Sequence, residues 1–408
     1  MFCIDPCLLV PLQLLFYAFY RLIRVIILAE SDLFTLIRKL SQPEQIGNVE
    51  FFSIITRYRL EDTDIAQEYD FLIFNDGFGN LNDLKDNNWM IYTITDRYVY
   101  FVRIPASTAL SISNAPRLTS ALHSYSDRAA RMDINIFTHE VRSSISPSKG
   151  RVVMLHSSPC CGGSMLARLL DSVDQSQELL LVHSEPPFLS ALAVLVNIVS
   201  IETIRSVTNA ALRFTMQHLQ SDQILVMKTR SCCAKIVPYV HASTPSIQHL
   251  FVTSRDPTLG IPRLISATSA KMPVFEIACN LLSYSSILCD FFTSWRLLEP
   301  EMVRKIGPTT PFEFALAQIM GCVISYQRTL KYYALETIYA EDLMNDPDAV
   351  MRPILDVCGY SHYTLNGCKG CISEEQKRIE FTPTTSLSET QRIRVKLLVD
   401  YLQQDWCR

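Results

Sequence analysis

Apolar and polar positions along the chain fall into three regimes. From Leu8 to Tyr20 thirteen residues pass without a charge, Arg21 and Arg24 interrupt, and Val25–Ala29 is apolar again. The first 45 residues therefore read as an apolar helical segment, with two arginines three apart sharing one face. A spanning helix needs about 20 apolar residues, and both arginines fall inside that window. A secretory signal would open on basic residues, whereas this segment opens with Asp5. The pattern fits a helix lying in a membrane interface through residues 8–29. The competing expectation is a helix packed on the body of the protein.

Residues 46–150 form a second regime, a small α+β region with β-rich runs at Phe51–Tyr58, Phe71–Phe74, Trp89–Thr95 and Tyr98–Ile104. The last two flank Asp96-Arg97, a two-residue separation that predicts a hairpin. Arg142–Gly150, with four Ser, one Pro and one Gly, reads as a linker.

From Arg151 to the end, residues 151–408, short continuous apolar runs alternate with helical periodicity. The expected strands are Val152–Leu155, Leu179–Val182, Ile224–Met227, His249–Thr253 and Leu335–Tyr339. Helices are expected at Ser164–Val173, Ile201–Leu219 and Phe312–Tyr332. Such alternation predicts an α/β fold, a parallel sheet flanked by helices, with ligands beyond the carboxyl ends of the strands.

Composition narrows the function classes. Over 408 residues, 48% are hydrophobic and 19% charged, enough for a large core. The net charge of −4 gives no basic face, so nucleic acid is not expected as a partner. Thirteen cysteines include the pairs Cys160-Cys161 and Cys232-Cys233 and one C-x-x-C at Cys368 and Cys371. Their spacing makes no four-ligand zinc set, so buried free thiols are expected, with a local Cys368–Cys371 disulfide the alternative in an oxidising compartment. No N-x-S/T sequon occurs.

The chemistry collects at the predicted strand ends. The first strand runs into Ser157-Ser158-Pro159-Cys160-Cys161-Gly162-Gly163-Ser164-Met165. Two glycines between a strand and a helix let backbone N–H groups curl around a phosphate. The loop lacks the G-x-x-x-x-G-K-[ST] spacing and its Lys, which disfavours a triphosphatase or kinase. On its own it reads equally as a tight turn. The second strand ends in His183-Ser184-Glu185-Pro186, offering an imidazole and a carboxylate as alternative general bases. Lys228 and Arg230 follow the third strand and Arg255 the fourth, so cations stand at neighbouring strand ends, as a multiply anionic ligand requires.

These motifs, in this order over residues 150–360, resemble the sulfotransferase-like P-loop superfamily, in particular a loosely characterised animal branch. That branch carries HST-[GP]-R-x-G-S-T-L after its first strand, and this chain has HSSPCCGGSML. Its S-E-P is matched by Ser184-Glu185-Pro186, and its Lys-Thr by Lys228-Thr229. Its R-[ND]-P is matched by Arg255-Asp256-Pro257, and its Y-E-D-L with a following D-P by Tyr339–Leu343 and Asp346-Pro347. The resemblance implies a P-loop fold and 3′-phosphoadenosine 5′-phosphosulfate (PAPS) as nucleotide donor, with an unknown hydroxyl or amine acceptor and no metal. It implies that Ser158, Cys160, Cys161, Gly162, Gly163, Ser164 and Met165 form the 5′-phosphosulfate loop. It further implies that Arg255 holds the 3′-phosphate and that Glu185 stands where some members carry a catalytic base; His183, as the competing base, and Lys228, as a strand-end cation, complete the catalytic candidates.

Two departures divide the readings. Cys160 stands where the branch has a loop cation, and Arg263 stands where a Ser contacts the 3′-phosphate. An active sulfotransferase would need Lys228, Arg230 or Arg168 to supply the missing charge. Alternatively the chain is a catalytically weak or inactive homologue that acts as a nucleotide-binding or protein-interaction module.

Overall fold

The computed structural model describes residues 6–41, 47–61, 64–108, 115, 117–174, 178–268, 274–360 and 387–406. Cys368 and Cys371 lie outside the described residues. The chain forms two compact units, Met1–Lys149 with Glu185–Ser221, and Gly150–Ser184 with Asp222–Arg408.

In the first unit five strands, β1 (Val49–Arg57), β2 (Phe71–Gly79), β3 (Trp89–Ile94), β4 (Tyr98–Arg103) and β5 (Arg128–Asp133), pair antiparallel in the order β2-β1-β5-β4-β3. The β3–β4 hairpin is closed at Asp96-Arg97, where Thr95 N–H donates to the Tyr98 carbonyl at 2.8 Å. The central strand β5 has no counterpart among the sequence-predicted strands. Its sequence RAARMD buries Ala129, Ala130 and Met132, and adjacent alanines give neither alternation nor β propensity. The linker read at Arg142–Gly150 begins later, because the helix Ile134–Ser144 runs through its first three residues. That helix is started by the Asp133 carboxylate, which accepts from the N–H groups of Asn135 and Ile136.

Residues Glu185–Ser221, read from sequence with the parallel-sheet half, pack in this first unit. The helix Ile201–Met216 places Phe214 edge-on to Phe101 at 5.2 Å and Phe137 at 6.0 Å. The N-terminal helix α1 (Pro6–Ser41) packs beside β2. Its arginines point at the protein rather than at lipid headgroups: Arg24 donates to the Phe71 carbonyl at 3.1 Å and the Glu68 carbonyl at 2.7 Å. Arg21 lies 3.5 Å over the Tyr69 ring.

In the second unit β6 (Arg151–Ser157), β7 (Leu180–Ser184), β8 (Ile224–Lys228), β9 (Gln248–Thr253) and β10 (Ile338–Tyr339) form a parallel sheet ordered β10-β9-β6-β8-β7. This is the α/β sheet the sequence predicts, although β10 is two residues long rather than five. Central β6 pairs with β8 through Leu155 opposite Lys228, and with β9 through Ser157 opposite Val252. After it comes the helix α2 (Gly163–Val173), whose Met165, Leu166, Leu169 and Leu170 enter a core with Val153, Leu155 and Leu250.

Buried titratable groups give this unit a pH signature. Burial pushes His183 down to about 4 and His249 to about 3, and it holds His156 well below the usual imidazole range. Burial pushes Glu299 up to about 8, against the opposing charge of Lys235. Below about pH 6.5 the unfolded chain takes up protons that the three folded imidazoles refuse, so stability falls as pH falls. Above pH 4.5 the unfolded glutamate releases a proton that folded Glu299 retains, so its term falls as pH rises towards 8. Three imidazoles outweigh one carboxyl between those values, and stability should peak near pH 6.5. Urea unfolding at pH 4.5 should show a loss on the order of 3 kcal/mol from that peak. Glu299→Gln should flatten the alkaline limb, and an unfolding midpoint that is level from pH 4.5 to 8 would contradict this assignment.

Candidate phosphate-binding loop at the strand ends

The loop between β6 and α2 turns back on itself through two left-handed residues, Cys160 at φ 57° and Gly162 at φ 84°. A non-glycine residue there is strained by about 1–2 kcal/mol, and backbone curled in this way aims successive N–H groups inward. Among the described residues, the N–H groups of Gly162, Gly163, Ser164 and Met165 donate to no protein acceptor. Three of them belong to the first turn of α2, where the helix dipole adds positive potential.

The surroundings allow little other than glycine in the loop. A Cβ on Gly163 would overlap Ser157 Oγ and lie 2.5 Å from Ser157 Cβ. A Cβ on Gly162 would lie 2.9 Å from Ala340 Cβ, so the segment after β10 abuts the loop. On the other side, the site of a Gly260 Cβ is 2.9 Å from the Pro159 carbonyl.

Each predicted loop residue has a distinct place. The Ser158 hydroxyl is buried against Thr253 Oγ1 at 2.9 Å, and its N–H donates to the Val252 carbonyl. Cys161 is buried, and burial pushes its thiol up to about 12 against weaker pulls from the Ser254 N–H and the Arg263 charge. Cys160 is half-buried, Ser164 is exposed at the mouth, and the Met165 side chain belongs to the core. Only the backbone of Met165 is therefore available to a ligand.

Lys228 is 5% exposed at the end of β8, and its Cε is 3.7 Å from the position of a Gly163 Cβ. A nearly buried ammonium thus stands against the first turn of α2. Next to it Thr229 Oγ1 meets His156 Nδ1 at 3.0 Å, and His156 Nε2 meets His249 Nδ1 at 3.1 Å. This buried chain, held between residues 93 apart, has no signature in the sequence. Both imidazoles are held below their usual range by burial, and Lys228 brings a cation to the loop.

At the end of β9 the expected anion-binding groups meet the chain's own carboxylates. Arg255 Nη2 donates to both carboxylate oxygens of Asp342, at 2.7 and 2.8 Å, and the guanidinium lies 4.4 Å from the Tyr339 ring centre. Glu341 accepts from the Ser254 hydroxyl and, at 3.2 Å, from the Arg255 N–H. The partnership of Glu341 and Asp342 with this strand end escaped the sequence reading, although both belong to the Tyr339–Leu343 motif.

The two candidate bases differ. His183 is half-buried with a pKa lowered to about 4 by burial, too weak for a base working near neutrality. Glu185 is grouped with the first unit. There it sits at φ 57°, its carbonyl accepts from Thr119 Oγ1 at 2.9 Å, and its carboxylate is 3.9 Å from Arg117 Nε.

No family model matches the chain. No curated protein matches it either. Among solved structures it is similar to a sulfotransferase from Alicyclobacillus acidocaldarius, at 12% identity over 62% of this chain and 91% of that one, with a TM-score of 0.34. It is also similar to sulfotransferase STF9 from Mycobacterium avium, at 12% identity over 63% of this chain and 75% of that one, TM-score 0.33. Mouse sulfotransferase SULT7A1 complexed with PAP is similar at 9% identity, over 62% of this chain and 73% of that one, TM-score 0.31.

Proposed function

We propose that the chain is a sulfotransferase-like protein that binds the phosphosulfate end of PAPS at Cys160–Met165 and transfers its sulfuryl group to a hydroxyl or amine acceptor. One observation carries this reading: a left-handed loop with undonated N–H groups stands at the end of the central strand, directly against the nearly buried Lys228. Anionic oxygens there would meet backbone dipoles and one fixed ammonium, a pre-arranged electrostatic site. In the transfer the sulfur–oxygen bond to the phosphate breaks as a sulfur–oxygen or sulfur–nitrogen bond to the acceptor forms. The displaced phosphate takes the bonding pair, and the acceptor's proton goes to a base. His183, its pKa lowered to about 4 by burial, holds its proton too weakly to be that base near neutrality. PAPS fits the loop end of the site. Its 3′-phosphate would fit Arg255 once the pair with Asp342 opens.

That last condition supports a second reading, a nucleotide-binding homologue with weak or no turnover. Asp342 and Glu341 already occupy the guanidinium, amide and hydroxyl that would receive a second phosphate, and Cys160 supplies no charge. Calorimetric titration with 3′,5′-bisphosphoadenosine, paired with radiolabelled sulfate transfer to an acceptor panel, separates the two. Saturable binding with transfer supports the enzyme; binding without transfer supports the second reading; absence of binding by folded protein removes both. Asp342→Asn should tighten binding of the bisphosphate by up to about fivefold, the scale of an exposed charge pair. Unchanged affinity would mean that Arg255 takes no part.

A further inference from the structure

Helix α1 is amphipathic in the reverse of the usual sense. Its polar side chains face the protein: Tyr20 donates to the Tyr69 carbonyl, Arg24 to the Phe71 and Glu68 carbonyls, and Ser31 accepts from the Asn75 N–H. Its outer face is apolar: Leu12, Leu15, Phe16, Phe19, Leu22 and Ile26 are each 56–67% exposed. From Pro11 through Ala29 every exposed residue is apolar, and the first exposed charges are Glu30 and Asp32.

Two magnitudes decide what covers this face. Nineteen residues at 1.5 Å each make the stretch without an exposed charge roughly 28 Å long. At 100° per residue, the exposed arc from Val25 round to Phe16 spans about 180° of the helix. A two-stranded coiled coil buries a narrower seam and flanks it with charged positions. A protein partner of ordinary composition brings a polar rim. An arc of half the circumference without a rim matches a continuous apolar solvent, which needs neither shape complementarity nor hydrogen-bond partners. Polar residues turned inward and apolar residues outward is the arrangement of helices that meet lipid.

We propose that the outer face of α1 from Pro11 to Ala29 is a monotopic membrane-binding surface. The helix lies along the bilayer with that arc among the acyl chains, its polar face holds the first unit, and Glu30 marks the end of the immersed stretch. The binding is apolar, so it requires no anionic lipid.

The test is flotation of the full chain, diluted from non-ionic detergent into phosphatidylcholine vesicles. The wild-type chain should float with the vesicles and remain bound in about 1 M salt, which screens charge pairs but not apolar burial. The triple variant Phe16→Glu, Phe19→Glu, Ile26→Glu alters only exposed positions and should show at least tenfold less vesicle-bound protein. A second chain, carrying only Phe19→Trp, keeps the apolar face intact, and its added fluorescence should be quenched by brominated acyl chains. Wild-type protein that stays with the unbound fraction overturns the proposal, as does an unquenched Phe19→Trp chain. A wild-type dimer that ignores vesicles and becomes monomeric in the triple variant would assign the face to a second copy instead.

Discussion

Lys228→Met should weaken binding of 3′,5′-bisphosphoadenosine by about 100-fold while leaving the fold intact. The substitution keeps the length of the side chain at a 5% exposed position and removes its charge. A charge-assisted hydrogen bond of about 1.5–3 kcal/mol corresponds to roughly 10- to 150-fold in affinity. Lys228 stands at the upper end because Cys160 carries no charge to share the load and because its surroundings exclude most water. Calorimetric titration reads the affinity, and urea unfolding reads the stability. If affinity is retained, the phosphate is held elsewhere.

Gly163→Ala should be the most damaging single-methyl change in the loop. Its Cβ overlaps Ser157 Oγ and stands 2.5 Å from Ser157 Cβ. The hydroxyl can rotate away, but the Ser157 Cβ is fixed by β6, so the start of α2 must move. Overpacking of this kind costs about 1–3 kcal/mol, and the displaced N–H groups should lose the ligand as well. Removing the obstacle provides the control. The double variant Ser157→Gly, Gly163→Ala should recover most of the stability, giving a coupling of more than 1 kcal/mol between the sites. Additive losses in urea unfolding would show that the clash is not the cause.

The parallel sheet was legible because its strands are short apolar runs, and each ends in a residue that water or a ligand must solvate: Ser157, Ser184, Lys228 and Thr253. β5 was hidden because alanine carries no strand signal, and its position is set by partners β1 and β4. Glu185–Ser221 was assigned with its sequence neighbours, but Phe214 packs with Phe101 and Phe137. The spacing of Arg21 and Arg24 established that they share a face, not which way that face turns; the Glu68 and Phe71 carbonyls decide it. Within the site, the glycine loop and Lys228 were legible as local motif chemistry. The Arg255–Asp342 pair, 87 residues apart, and the His156–His249 pair, 93 apart, depend on register between strands that no local pattern encodes.

In the proposed function, the backbone of Gly162, Gly163 and Ser164 holds a phosphate together with Lys228. A crystal structure of the chain with 3′,5′-bisphosphoadenosine tests it most directly. The 5′-phosphate should lie within hydrogen-bond distance of those three N–H groups and of Lys228 Nζ. The nucleotide bound away from the loop, or an empty loop at saturating ligand, would contradict it.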